Sequence, residues 1–178
     1  MQAAPARVLP ELRLAPASLG ATVGVSQRVT WASAVARRSD ERVPESFEAL
    51  LEIDADALRL ACFTGGMRVL TLRWDGRSLQ ESRHPTLPPQ VQASQVLRDI
   101  QLAYWPVDAI AAALPAEWAV QDTGLVRVLS WRGEPRVRIV VGGTPRWLGR
   151  VELDNLAEHY RLVIESAPTD EAEVGGAP

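Results

Sequence analysis

Hydrophobic residues in this chain recur mostly with a period of two. Val23, Val25, Val29 and Trp31 alternate with Thr22, Gly24, Arg28 and Thr30, the pattern of a half-buried strand. Residues 34–44 are polar and charged and read as a loop. Phe47, Ala49, Leu51 and Ile53 then alternate with Glu48, Leu50, Glu52 and Asp54, and Asp54-Ala-Asp56 turns into a strand carrying Leu58, Leu60 and Cys62. Thr64-Gly65-Gly66 punctuates again before Leu70, Leu72 and Trp74. Asp75-Gly76 is the strongest hairpin signal, because the pair tolerates the positive φ angles of a type I′ turn, and a short strand over residues 78–83 closes this block.

The period changes after His84-Pro85 and Pro88-Pro89, since proline cannot donate to a sheet ladder. Within Val91–Pro106, the residues Val96, Leu97, Ile100 and Tyr104 fall on one helical stripe, with Gln95, Arg98, Asp99 and Gln101 mostly off it. Pro106 divides this helix from a shorter apolar face formed by Val107, Ile110, Ala111 and Leu114. A second β block follows and runs to about Ser166. It includes Trp118 and Val120, 125–131, Val137 to Val141, Trp147 to Leu153, and Tyr160 to Ile164.

Short strands joined by tight turns, with the helices confined to one insertion, predict a mainly β fold of α+β type with an antiparallel meander. A repeating βαβ fold is excluded, because it would repeat its helices. One apolar-faced helix set into a curved sheet, or incomplete β-barrel, reads as a plug or lid. The expected organisation is an extended lead-in over 1–20, a single domain over 21–166 and a disordered tail over 167–178.

The 178 residues carry a formal charge of −3, without the basic excess of a dedicated nucleic-acid binder. All 19 basic residues other than histidine are arginine, which removes every lysine chemistry, including Schiff bases, a pyridoxal anchor and a P-loop lysine. No apolar run approaches the roughly 18 residues of a membrane span. The opening Met1-Gln-Ala-Ala-Pro-Ala-Arg7 has neither the basic nor the apolar region of a secretory signal.

Candidate chemistry is sparse, and neither a catalytic residue, a metal ligand nor a cofactor is expected. His84 and His159 lack the spacing of a metal site, and Cys62, in strand register with Leu58 and Leu60, reads as a small buried hydrophobe. Gly142-Gly143-Thr144-Pro145 superficially resembles a phosphate cradle but lies between strands and reads as a turn. Seven arginines between Arg127 and Arg161 face four acids, so a solvated sheet face is the default, with a patch for anionic lipid headgroups as the alternative. Six tryptophans, Trp31, Trp74, Trp105, Trp118, Trp131 and Trp147, either pack a solid core or line an apolar cavity fit for an acyl chain.

The run Leu97-Arg-Asp-Ile-Gln-Leu-Ala-Tyr-Trp-Pro106, the Ala-rich helix after it, Leu114-Pro115 with Trp118, and the terminal His159-Tyr-Arg-Leu-Val-Ile164 resemble a bacterial family of small outer-membrane lipoproteins of unknown function. Its members are encoded beside fatty-acid-synthase-like genes for aryl polyene pigments. The resemblance extends over residues 20–166 and is most specific in Gln101–Pro106. It implies an architecture similar to the lipoprotein carriers LolA and LolB, in which an incomplete barrel is covered by helices around an apolar cavity. It also implies a place on the periplasmic face of the outer membrane through an N-terminal lipid anchor. No cysteine precedes Cys62, so an acylated cysteine and its signal would lie outside this sequence.

The expected function is therefore a non-catalytic carrier or acceptor of an apolar lipid: an aryl-polyene lipid, a lipoprotein acyl chain or a similar conjugate. Its expected cavity and lid residues are Trp31, Leu51, Leu60, Leu72, Trp74, Leu97, Ile100, Tyr104, Trp105, Trp118 and Trp131. The alternatives are a structural or assembly protein that docks biosynthetic enzymes, and a thioesterase or acyltransferase using His84 or His159.

Overall fold

The computed structural model describes residues 8–34 and 45–169. Ten strands form one antiparallel sheet: β1 (Val23–Ser33), β2 (Glu45–Ile53), β3 (Leu58–Thr64), β4 (Met67–Trp74), β5 (Leu79–Arg83), β6 (Trp118–Asp122), β7 (Val126–Trp131), β8 (Glu134–Val141), β9 (Gly149–Asn155) and β10 (Tyr160–Pro168). Two helices, α1 (Ala93–Tyr104) and α2 (Val107–Ala113), separate β5 from β6. Strand order is β5-β4-β3-β2-β1-β10-β9-β8-β7-β6, two five-strand meanders joined where β1 pairs with β10. The outer edges, β5 and β6, are not paired with each other, so the curved sheet stays open. The chain must cross from one edge to the other between them, and that crossing is the helical insertion.

Period-two patterning sets which face each strand buries. On β1, Val23, Val25, Gln27 and Val29 are buried while Gly24, Ser26 and Arg28 are exposed. The inner positions of the other strands supply Leu51, Ile53, Leu58, Leu60, Leu72, Trp74, Leu129, Val137, Ile139, Val141, Val151 and Leu153 to one continuous core. The convex face carries ion pairs such as Arg150 with Glu152 and Arg161 with Asp154. Six of the seven arginines from Arg127 to Arg161, all but Arg138, have a carboxylate partner. The arginine-rich stretch is thus largely paired with carboxylates, as a solvated sheet face would be.

Turn chemistry departs from expectation at one hairpin. Trp74 pairs with Leu79, leaving four residues between them, and of these only Gly76 has positive φ (89°). The Asp75 carboxylate accepts from the Arg77 and Ser78 amides instead, so this is an Asp-capped loop and not a type I′ turn. The two-residue geometry with both φ positive occurs at Gly65-Gly66 (57° and 78°) and at Arg132-Gly133 (49° and 81°).

Three further expectations are revised. Strand β9 begins at Gly149, because Leu148 closes a turn onto Pro145, so Trp147 lies before the strand. Ala167 and Pro168 belong to β10; the rest of the expected tail from Asp170, and most of the expected 34–44 loop, lie outside the described residues. The lead-in is no passive extension: Leu9, Leu12, Leu14 and Leu19 are buried in the core, and Pro16–Leu19 forms a short 3-10 helix.

Candidate functional site

The concave face is an apolar surface made by cross-strand rows. Leu51, Leu60 and Leu72 stand in register on β2, β3 and β4, all buried, with Val25 extending the row onto β1. In the other half, Trp31, Leu162, Leu153 and Ile139 form a row across β1, β10, β9 and β8. Leu153 and Ile139 are buried, whereas Trp31 and Leu162 are half-buried.

Helix α1 lies in this concavity. It was expected to show one wet face, yet every residue from Gln95 to Trp105 is at least half-buried, including Arg98, Asp99 and Gln101. The sheet covers one side and the N-terminal segment another, so α1 is a plug and its polar residues need internal partners. Each has one. Arg98 reaches Glu158 with two nitrogens at 2.9 and 2.8 Å, Asp99 at 3.1 Å and the Tyr160 hydroxyl at 3.1 Å. The Tyr160 hydroxyl in turn donates to Asp99, and Asn155 donates to Glu158 at 3.0 Å. Gln101, fully buried, faces both backbone groups of Leu14.

The far end of α1 is gripped by arginines. Arg127 donates to the Leu102 carbonyl at 2.6 Å and Arg146 to that of Ala103 at 3.4 Å, placing two cations on the negative end of the helix. Asp122 holds both guanidinium groups, at 2.7 and 2.6 Å. Tyr104 accepts a hydrogen bond from Gln27 at 2.9 Å, and Gln27 also donates to Ser166.

Burial and charge shape the titration of these groups. Burial lifts the Asp99 carboxyl above its ordinary range despite Arg98 and Tyr160 beside it. Tyr160 is raised by burial and by the Asp99 charge, and Tyr104 by burial. Burial alone would lower Arg98, but Asp99 and Glu158 hold it above its ordinary value. At Asp122 burial acts upward, and the Gly124 amide with Arg127 and Arg146 overcomes it, leaving the carboxyl below 3.8.

The sequence-expected residues fall into separate groups. Leu51, Leu60, Leu72 and Trp74 line the buried concave face, and Leu97, Tyr104 and Trp105 come down on it from α1 and the residue after it. Ile100 is half-buried on the same helix. Trp118 and Trp131 pair across β6 and β7, half-buried, with β10, β9 and β8 between them and Trp31. Trp131 lies under two guanidinium groups, of Arg132 at 4.4 Å and Arg136 at 5.6 Å from the ring centroid. A small cavity beside Trp74, Leu79 and Leu97 holds about 20 Å³, room for about one water. A larger, solvent-open hollow of about 320 Å³ lies at the sheet end beside Phe47, Phe63, Gly65 and Arg28.

Two sets of residues here carried no sequence signal of a site. Leu9, Leu12 and Leu14 lie among prolines and exposed charges, and only their irregular spacing in an Ala- and Pro-rich stretch could have marked them. Asn155, buried at the end of β9, and Glu158, in the turn after it, lie about sixty residues from Arg98, beyond the reach of local pattern. His84, His159 and Cys62 lie apart from this helix-centred network, His159 in the turn before β10 with a φ of 61°. His84 Nδ1 meets the Thr86 hydroxyl at 2.8 Å in an exposed loop, and burial pushes the Cys62 thiol up to about 12.

These elements define an open, curved antiparallel sheet with a helical insertion. The chain belongs to a protein family of unknown function, DUF3261, whose model matches residues 25–168. No curated protein matches the sequence.

Proposed function

We propose that this protein is a non-catalytic, periplasm-facing carrier or acceptor of an apolar lipid at the bacterial outer membrane, similar in architecture to LolA and LolB. The observation that carries this reading is the cover of the concave face. Apolar rows such as Leu51, Leu60 and Leu72 are closed off by one helix and an N-terminal segment, which attach mainly through side chains. The apolar face beneath this cover suits an acyl chain, each buried CH₂ contributing about 0.8 kcal/mol. Half-buried Trp31, Phe47, Ile100 and Leu162 offer an apolar approach to it. The ligand proposed is an aryl-polyene lipid, a lipoprotein acyl chain or a similar conjugate, with the protein held at the membrane by an N-terminal lipid anchor. Titrating the protein with a fluorescent fatty-acid analogue tests this: saturable one-to-one binding supports it, and absence of binding to folded protein contradicts it.

A second reading, a structural protein that docks biosynthetic enzymes, is favoured by how completely Trp74, Trp105 and Ala103 are buried. It predicts a stable protein complex in pull-downs that contains no lipid.

A further inference from the structure

The segment from Leu9 to Leu19 packs into the concavity without joining the sheet. Leu12, Leu14 and Pro16 are buried while Glu11, Arg13 and Ala15 are exposed, the alternation of an extended chain lying on a surface. Yet it joins no strand. Its backbone–backbone hydrogen bonds are local, from Ser18 to Ala15 and from Gly20 to Ala17. It is held instead by three side chains from the groove walls. Trp74 Nε1 donates to the Leu14 carbonyl at 2.8 Å. Gln101 Nε2 reaches the same carbonyl at 3.4 Å, and its Oε1 accepts from the Leu14 amide at 3.5 Å. Trp105 Nε1 donates to the Ser18 hydroxyl at 2.9 Å and to the Ala15 carbonyl at 3.3 Å.

Removing the segment would leave an apolar trough walled by Trp74, Leu97, Trp105 and the β-strand leucines, with two indole N–H groups and one carboxamide pointing into it. Buried donors without acceptors are costly, so a ligand that replaces the segment and excludes water suits the trough best if it carries carbonyl oxygens beside a long apolar body. From Leu9 to Leu14 an extended chain reaches at most about 18 Å, a length comparable with an extended long-chain acyl group.

We propose that the trough under residues 9–19 is a binding site for an ester- or amide-linked long-chain acyl group, and that the N-terminal segment is its intramolecular stand-in. The leucine side chains take the place of the acyl chain, and the Leu14 and Ala15 carbonyls take the place of the ester or amide carbonyl. Binding then proceeds by exchange: the segment leaves as the acyl group enters, with Trp74, Gln101 and Trp105 passing from peptide to ligand. Apparent affinity is lowered by the fraction of time the segment stays in place. This inference rests on the carrier reading and adds to it the location of the site and the element that competes for it.

The test uses monopalmitoyl glycerol and the full chain. Amide hydrogen exchange is followed by mass spectrometry with and without the lipid, and lipid affinity is compared with that of Leu12→Ser/Leu14→Ser. The inference predicts that lipid accelerates exchange across residues 9–20 while β1 to β4 stay protected, and that the double substitution tightens binding by about tenfold or more. Lipid binding with unchanged or increased protection of residues 9–20 overturns the inference and leaves the carrier reading standing. No lipid binding by either folded protein overturns both. If the double variant does not fold, the exchange pattern of the unsubstituted chain decides alone.

Discussion

Gln27 on β1 donates its side-chain amide to the Tyr104 hydroxyl at 2.9 Å, linking the last turn of α1 to the middle of the sheet. The pair is buried, and Ser166 on β10 is the second partner of the same Gln27 nitrogen. Removing the hydroxyl in Tyr104→Phe leaves the ring packed and one donor of Gln27 satisfied. The expected loss is about 1–2 kcal/mol of unfolding free energy, read from urea denaturation. A loss of lipid affinity larger than the loss of stability would instead make the hydroxyl a ligand contact.

Asp122 is the keystone of the other end of the helix. Asp122→Asn leaves Arg127, whose side chain is 2 % exposed, as a buried cation without its carboxylate. That is expected to cost about 3–5 kcal/mol. The same residue sets an acid limit. Its carboxyl sits below 3.8 in the folded chain, so its contribution to stability is complete above that value and is lost as pH falls through the lower folded-state value. Unfolding midpoints of the native chain should fall steeply in that acid window, and those of Asp122→Asn should fall less.

At Gly143 a β-carbon would lie 1.7 Å from the Leu148 carbonyl oxygen, with backbone on both sides of the contact. This explains the Gly142-Gly143 pair as a close backbone approach and not as a phosphate cradle. Gly143→Ala should destabilise by about 3 kcal/mol or more, measured by thermal unfolding, while Gly65→Ala, strained only by its positive φ, should cost about 1 kcal/mol.

Half-buried and fully buried residues of the concave face differ in what their loss costs the fold. Trp31→Ser and Ile100→Ser alter half-buried residues and are expected to weaken lipid binding about tenfold while changing stability by about 1 kcal/mol. Trp105→Ser, at a fully buried ring, should cost about 3–5 kcal/mol of folding before any effect on binding is read.

The Cys62 thiol, buried and held near 12, should resist a thiol reagent in the folded protein and react fully once denatured. Rapid labelling of the native state would contradict the burial described.

The strands were legible because each obeys a local rule: Val23, Val25 and Val29 fall on alternate positions, and β1 buries those positions together with Gln27 between them. The helix was legible for the same reason, in Leu97 and Tyr104. Its environment was not. Arg98, Asp99 and Gln101 look like a wet face by local pattern, and only partners brought from Glu158, Tyr160 and Leu14 make their burial possible. The N-terminal segment was hidden for a related reason. Leu12 and Leu14 alternate over too short a stretch to read as a strand, with Leu9 out of step, and side chains of Trp74 and Trp105 hold the segment in place of a ladder. Local pattern therefore specified the sheet and the insertion, while the filling of the concavity depended on contacts far apart in the chain.

The central claim, that the concave face serves an apolar lipid, is tested most directly by native mass spectrometry of the protein purified without detergent from its producing host. The account predicts a species heavier than the chain by the mass of one acyl lipid, lost on extraction with organic solvent. A single species at the mass of the lipid-free chain, from folded protein, would contradict it.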